Sequence, residues 1–278
     1  MNVLELSALL GLISAAAGLL GALTGLGGGV VLTPAMVLLL GIDLHYAIGA
    51  ALVSVIATSS GAAAAYVREG FSNIRIGMFL EIATTVGAVC GAFAAARISG
   101  SALGVVFGIV LLYSAFLASR ARGATQPDQP EDRLAVRLRL DGAYPTPQGP
   151  HAYKVGHVKA GFSLMFVAGA LSGLLGIGSG ALKVIAMDRI MRIPFKVSTT
   201  TSNFMIGVTA AASAGVYLNR GYIDPGLTMP VVLGVLAGSA LGARLLPTAP
   251  TRILRWVFAV VVGVLAFEMI YNGLTGKL

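Results

Sequence analysis

Apolar runs alternate with short polar or glycine-rich breaks along the whole chain. Five runs cover about residues 4–22, 30–41, 44–66, 76–96 and 102–119, and five more cover about 157–175, 180–191, 197–218, 227–246 and 253–273. A helix needs about 20 mostly apolar residues to cross a bilayer, and most of these runs approach that length. The pattern therefore predicts an all-α polytopic membrane protein whose helices form two sets of five.

A polar linker separates the two sets of apolar runs. Residues 120–156 contain five prolines, six basic and four acidic residues, and this composition keeps the segment out of lipid. We therefore predict membrane repeat 1 at 1–119, a cytoplasmic polar linker at 120–156 and membrane repeat 2 at 157–278. Within the linker, apolar and charged residues alternate over 136–141, which predicts a short β-hairpin packed on the membrane face.

The two sets are related by an internal repeat with an offset of 151 residues. The matching segments are Gly25-Leu26-Gly27-Gly28-Gly29 with Gly176-Ile177-Gly178-Ser179-Gly180, Tyr66 to Phe71 with Tyr217 to Tyr222, and Gly87-x-x-x-Gly91 with Gly238-x-x-x-Gly242. Three matches at one offset, without a gap, indicate a duplication.

The second run of repeat 1 is too short to cross the membrane. Its residues, 30–41, reach about 18 Å of a core that is roughly 30 Å thick, so the glycine-rich break either interrupts one long helix or turns a re-entrant hairpin. A hairpin plus three transmembrane helices per repeat places 15 Lys and Arg on one side and 3 on the other, whereas a single crossing gives 11 and 7. Basic residues favour the cytoplasmic side. The hairpin is therefore predicted, with outside termini and inverted repeats.

Composition and charge narrow the class of protein further. Hydrophobic residues make up 56% of the chain and charged residues 11%, whereas soluble proteins are about a quarter charged. The chain is thus expected to contact the lipid bilayer and no nucleic acid, and its net charge of +8 serves first as an orientation signal. The lone Cys90 and three scattered histidines form no metal-ligand pattern. We predict no metal and no cofactor, and the sequence leaves a homodimer open.

The two glycine-rich breaks are the predicted substrate-binding elements. In inverted-repeat transporters, broken helices present half-helix N-termini near the midplane, and their backbone N–H groups attract anions. The predicted residues are Gly27, Gly28 and Gly29 in the first break, and Gly178, Ser179 and Gly180 in the second. The alternative is that these glycines only allow close helix packing, which is how we interpret the two Gly-x-x-x-Gly motifs.

Charged and hydroxyl side chains near the second break extend this candidate site. Lys183 follows the break within one helical turn, and a charge inside the membrane indicates function unless the side chain snorkels to the surface. The run Thr200, Thr201, Ser202 and Asn203 opens the next helix and either binds an oxyanion or joins helices. Glu81 either carries a coupling proton or is a satisfied or snorkelling acid.

The chain resembles the sulfite exporter TauE/SafE family, also called the toluene sulfonate uptake permease family. The residues that carry the resemblance are both glycine-rich breaks, Pro34, His45 to Gly49, Tyr66 to Gly70 and Pro194 to Thr199. The resemblance implies a polytopic inner-membrane protein that exports or takes up sulfite, sulfonates or related sulfur compounds. Ser179 stands where a glycine is expected, and the linker is longer than expected.

Elementary energetics favours export among these possibilities. A membrane potential of 100 mV, inside negative, drives each negative charge outward by about 2.3 kcal/mol, and carboxylates for coupling are scarce. The predicted function is a permease that exports a small sulfur-containing anion such as sulfite or an organosulfonate. The alternative is a membrane-embedded enzyme acting on a sulfur compound or lipid. That enzyme needs a nucleophile with a base, and Cys90 and Ser179 support it poorly, so we predict that the chain is not an enzyme.

Overall fold

The computed structural model describes residues 3–24, 28–68, 72–119, 132–146, 149–245 and 251–277. The first half contains α1 (Val3–Thr24), α2 (Gly29–Leu40), α3 (Leu44–Arg68), α4 (Ile74–Ala95) and α5 (Gly100–Ser119). The linker contains α6 (Arg133–Arg137), β1 (Gly142–Thr146) and β2 (Gly149–Tyr153). The second half contains α7 (Val158–Leu175), α8 (Gly180–Ile185), a π-helical turn (Ala186–Ile190), α9 (Phe195–Asn219), α10 (Pro225–Leu245) and α11 (Thr251–Leu274). Every predicted apolar run corresponds to a helix, with α8 and the π turn together forming one run.

Within the residues that the structure describes, four helices are long and apolar enough to cross a membrane. Their spans are Leu4–Ala22 in α1, Ile74–Ala95 in α4, Val158–Leu175 in α7 and Pro225–Gly242 in α10. These are the first and fourth helices of each half, so the two halves agree in the elements that could span. The predicted all-α membrane class is confirmed.

Helices of one half pack mainly on helices of the other. The main contacts join α1 to α10, α4 to α7, α3 to α9 and α5 to α11. The first helix of each half therefore packs on the fourth helix of the other half, while the third and fifth helices pack on their own equivalents. The main hydrophobic core is therefore formed by residues of both halves together.

Glycines permit the closest of these helix contacts. A Cβ atom at Gly87 would collide with the carbonyl oxygen of Phe166, and one at Gly238 would collide with that of Ala15. Gly87 and Gly238 are 151 residues apart, and so are Ala15 and Phe166, which carry the two oxygens. The same helix crossing therefore occurs once for each repeat. The interpretation of the Gly-x-x-x-Gly motifs as close-packing sites is confirmed.

The chain folds back on itself at the first glycine-rich break. A Cβ atom at Gly28 would lie 3.3 Å from the Cα of Gly18, although a continuous helix would separate these positions by about 15 Å. The start of α2 therefore lies against the second half of α1, in the manner of a hairpin.

The linker hairpin lies further along the chain than the sequence predicts. Residues 136–141 contain the end of α6 and a turn, while the hairpin is formed by β1 and β2, with Gly142 opposite Tyr153 and Thr146 opposite Gly149. Asp132 explains the difference, because its Oδ1 accepts a hydrogen bond from Leu134 N at 2.9 Å and caps a helical turn. The prediction of a strand at 136–141 is wrong, since this cap outweighs the alternation of apolar and charged residues.

The described part of the linker docks on the N-terminal end of α4. Asn73, which caps α4, donates from Nδ2 to Tyr153 Oη at 2.7 Å and to the Leu140 carbonyl at 3.1 Å. Leu140 and Tyr153 are buried in one cluster with Leu80 and Met187. Linker residues 132–146 and 149–155 therefore cover the end of the helix that carries Glu81.

Candidate functional site

The two glycine-rich breaks meet near the centre of the helix assembly. A Cβ atom at Gly29 would lie 3.2 Å from the carbonyl oxygen of Gly176 and 3.0 Å from Val55 Cγ2. A Cβ atom at Gly178 would lie 3.4 Å from Val55 Cγ1 and 3.0 Å from Ile206 Cγ2. Val55 and Ile206 occupy equivalent positions of α3 and α9. The two breaks thus face each other across a matched pair of apolar side chains.

The second break has the backbone geometry that favours glycine. Gly176 and Gly178 each have φ of 68°, and Ser179 has φ of 44°. For a residue with a Cβ atom, the left-handed conformation costs roughly 1–2 kcal/mol. Ser179 nevertheless adopts it, and its Oγ is buried without a hydrogen-bond partner in the described residues. Strain and an unpartnered hydroxyl at one residue are features of functional sites.

Ser179 lines a small cavity beside the meeting point of the breaks. The other lining residues are Val30, Val110, Ser114, Ile177, Gly180 and Leu182. The centre of a water molecule can move within about 10 Å³ of this cavity, which is room for about one water. An oxyanion is larger than one water molecule, so the cavity in this structure is too small to hold one.

The remaining residues of the two breaks have different surroundings. Gly28 lies against α1, whereas Gly180 lies against Ile206 of α9. Ser202 Oγ donates a hydrogen bond to the Gly180 carbonyl at 3.3 Å, which joins the polar run of α9 to the second break. Gly27 lies outside the described residues.

The other members of the polar run on α9 point to separate partners. Thr200 Oγ1 donates to the Lys196 carbonyl at 3.0 Å within its own helix. Thr201 Oγ1 accepts a hydrogen bond from Asn73 N at 3.0 Å and so joins α9 to α4. Asn203 is half-buried. Of the four predicted residues, Ser202 is the one that contacts the break.

Lys183 is fully buried and is bound through a threonine to an acidic residue. Its Nζ donates to Thr209 Oγ1 at 2.5 Å, and Thr209 Oγ1 in turn donates to Glu81 Oε1 at 2.7 Å. Snorkelling to the surface is therefore the wrong interpretation of Lys183. The equivalent positions of the other repeat are Leu32, Thr58 and Val232, so this cluster makes the site asymmetric.

Glu81 is 7% exposed, so it does not snorkel either. Its Oε1 accepts hydrogen bonds from Thr209 and, at 3.1 Å, from Thr85. Its Oε2 is buried without a hydrogen-bond partner in the part of the chain that the structure describes. Half of this carboxyl group is therefore satisfied, and the other half is not.

Thr209 is the residue that the sequence analysis missed. It lies seven residues after Ser202, so two helical turns place both hydroxyls on one face of α9. That spacing was the available signal, but serine and threonine are frequent in membrane helices. Only the packing of α4 on α9 brings Thr209 to Glu81.

Comparisons with known proteins agree on the class of molecule. The chain is 28% identical to the probable membrane transporter protein YunE of Bacillus subtilis, over 90% of this chain and 92% of that protein. It is 26% identical to a probable membrane transporter protein of Xylella fastidiosa, over 89% of this chain and 88% of that protein. No solved structure matches.

The family model for the sulfite exporter TauE/SafE matches residues 10–269, which include both glycine-rich breaks and the buried Lys183. The chain therefore belongs to the sulfite exporter TauE/SafE family and is a membrane transporter of that type.

Proposed function

We propose that this transporter exports a small sulfur-containing anion, sulfite or an organosulfonate, through the bacterial inner membrane. The observation that carries the proposal is the full burial of Lys183 one helical turn beyond a strained glycine-rich break. A buried ammonium group attracts an anion strongly, because little water screens it. The sulfur chemistry of the substrate is taken from the family to which the chain belongs.

The proposed anion site lies where the two breaks meet. Backbone N–H groups at the start of α2, around Gly28 and Gly29, and at the start of α8, around Gly180, would contribute partial positive charge. Lys183 would supply the full charge, and the free hydroxyl of Ser179 would donate a hydrogen bond. Gly27 and Gly178 would allow the backbone to approach the anion closely. Within the polar run at 200–203, Ser202 would hold the second break in place through its hydrogen bond to the Gly180 carbonyl.

Inverted repeats would provide the transport motion. The exchange of packing partners at a constant offset of 151 supports two equivalent halves, and the 15-to-3 distribution of basic residues supports outside termini and a cytoplasmic linker. Rocking of one repeat against the other would then open the site to each side in turn.

An enzymatic role finds no specific support in the site. Cys90 is exposed on α4, and the Ser179 hydroxyl has no hydrogen-bond partner among the described residues that could act as its base. Transport is therefore the function that these residues support.

Flux of labelled sulfite into proteoliposomes tests the proposed function. We expect saturable uptake that Lys183→Gln weakens by about tenfold or more, because hydrogen bonds to charged groups contribute about 1.5–3 kcal/mol. The loss should be larger for dianionic sulfite than for a monoanionic sulfonate, and Lys183→Arg should retain part of the affinity. Lys159→Gln, at an exposed position of α7, is the matched control. Flux no greater than in empty liposomes, for sulfite and sulfonates alike, would refute the proposal.

A further inference from the structure

The cluster of Lys183, Thr209 and Glu81 holds one positive and one negative charge inside the helix assembly. All three side chains are buried, and Thr209 stands between the two charged groups. Removing a charge from water is costly unless the charge is paired and hydrogen-bonded. The structure meets this condition for Lys183 and for one oxygen of Glu81, while Glu81 Oε2 has no partner in the described residues.

The remaining charges near Glu81 lie at the ends of the surrounding helices. Glu81 is on α4, which packs against α7 and α9. Arg75 on α4, Lys159 on α7 and Lys196 on α9 are exposed at the first turns of their helices, and Asp188 and Arg189 lie in the π turn beyond Lys183. Lys183 is therefore the charge positioned to balance Glu81 within the buried length of these helices.

An anion that binds at Lys183 competes with Glu81 for the same positive charge. Before binding, the ionised pair is neutral overall. A monoanion would leave two negative groups against one positive group in a region of low dielectric, where like charges repel strongly. Oε2 is the unsatisfied oxygen of the carboxyl group, and a proton on it removes one negative charge while Oε1 keeps its hydrogen bond from Thr209.

We propose that Glu81 is a proton-binding site, and that one proton binds to Glu81 for each anion that binds at Lys183. The proton forms an O–H bond at Oε2, comes from the aqueous phase to which the site is open, and is released with the anion on the opposite side. This inference rests on the proposed function, since Lys183 is the charge that the anion meets. A dianion would then retain one negative charge, which an inside-negative potential drives outward. A sulfonate would cross as a neutral unit with its proton, so its export would need an outward concentration gradient.

Calorimetric titration of the purified full-length protein with methanesulfonate tests this linkage. The probe keeps one negative charge from about pH 5.5 to 8.5, so any pH dependence belongs to the protein. We expect about one proton taken up per anion, measured in buffers of different ionisation enthalpy, and an affinity that falls by up to about tenfold per pH unit at alkaline pH. Glu81→Gln should bind with clearly less proton uptake per anion and with a weaker dependence on pH than the unaltered protein. Glu268→Gln, at an exposed position of α11, should behave as the unaltered protein.

Flux measurements provide a second and independent readout. In proteoliposomes, a pH gradient should drive methanesulfonate through the unaltered protein, and an imposed potassium diffusion potential should not. Glu81→Gln should reverse this preference. Binding with no proton uptake in the unaltered protein, or proton uptake that Glu81→Gln leaves unchanged, would overturn the inference and leave the proposed function standing. Absence of binding and flux for sulfite and sulfonates alike would overturn both.

Discussion

At the scale of single residues, one hydroxyl group holds the charged cluster together. Thr209 accepts a hydrogen bond from Lys183 and has a single hydrogen to donate, with Glu81 Oε1 at 2.7 Å and the Met205 carbonyl at 2.9 Å as the available acceptors. The Thr209 hydroxyl can therefore switch its donated hydrogen bond from Glu81 Oε1 to the Met205 carbonyl of its own helix. It donates one hydrogen bond in either position. Its bond to Glu81 does not depend on Lys183, so the carboxyl group can keep this bond when Lys183 turns to an anion.

Replacing Thr209 by valine should destabilise the protein by about 1–3 kcal/mol, because two buried charged groups lose a hydrogen bond. Thr209→Ser should keep most of the stability. The matched control is Thr58→Val at the equivalent position of repeat 1, where the hydroxyl bonds only to carbonyls of its own helix. Thermal unfolding in detergent measures the difference, and equal losses at positions 58 and 209 would contradict the bridging role.

Ser179 should show opposite effects on stability and on binding. Ser179→Gly should raise stability by about 1 kcal/mol, since glycine adopts the left-handed backbone without strain, while anion affinity falls with the loss of the hydroxyl. Ser179→Ala should lose the affinity and keep the strain. Thermal unfolding and anion titration of the two variants separate the effects. An unaltered affinity in both would remove the hydroxyl from the site.

At the scale of helices, close crossings define how the two halves join. Gly87→Ala and Gly238→Ala should each destabilise the protein by about 1–3 kcal/mol, because the new methyl group meets backbone atoms that cannot move aside. The two losses should be similar, since the crossings are equivalent. Gly215→Ala serves as control, because a Cβ atom there meets nothing within 4 Å. Chemical unfolding in detergent measures the two losses of stability. Clearly unequal losses would argue against equivalent crossings.

The docked linker should loosen in acid. A hydrogen bond from the backbone N–H of Val158 to Asp132, with a second from Leu134, lowers the pKa of Asp132 below its ordinary value of 3.8. The contribution of Asp132 is therefore complete above about pH 4 and is lost as the pH falls through the lowered pKa. Limited proteolysis of the linker with an acid-active protease should become faster in that range. Asp132→Ala should show fast cleavage at every pH, and a pH-independent rate in the unaltered protein would contradict this account.

At the scale of the whole molecule, orientation in the membrane is the first property to establish. Single cysteines at Ser101 and Thr125, in a Cys90→Ala background, should react with an impermeant reagent from opposite sides, because the distribution of basic residues predicts a cytoplasmic linker. Intact cells and inverted vesicles provide the two accessible sides. Reaction of both cysteines from the same side would contradict the proposed arrangement of the repeats.

The sequence predicts where the helices lie, but it does not predict which helices pack together. Apolar runs mark the helices because lipid requires about 20 apolar residues per span, and Lys183 stood out as a charge within such a run. The bond from Thr209 to Glu81 joins residues 128 apart, and periodicity within one helix carries no information about which other helix it meets. The linker hairpin was misplaced because one capping aspartate altered the local structure.

The exchange of helix partners has a consequence for the biogenesis of the protein. Helix α1 ends at Thr24, yet α10, on which it packs, begins at Pro225, so residues 25–224 must be synthesised before the two helices can meet. Until then, the face of α1 that packs on α10 borders lipid or the insertion machinery. Insertion and folding must therefore be separate events for this transporter. A nascent chain halted before α10 could already pack α4 on α7 and α3 on α9, whereas α1 would still lack its main partner.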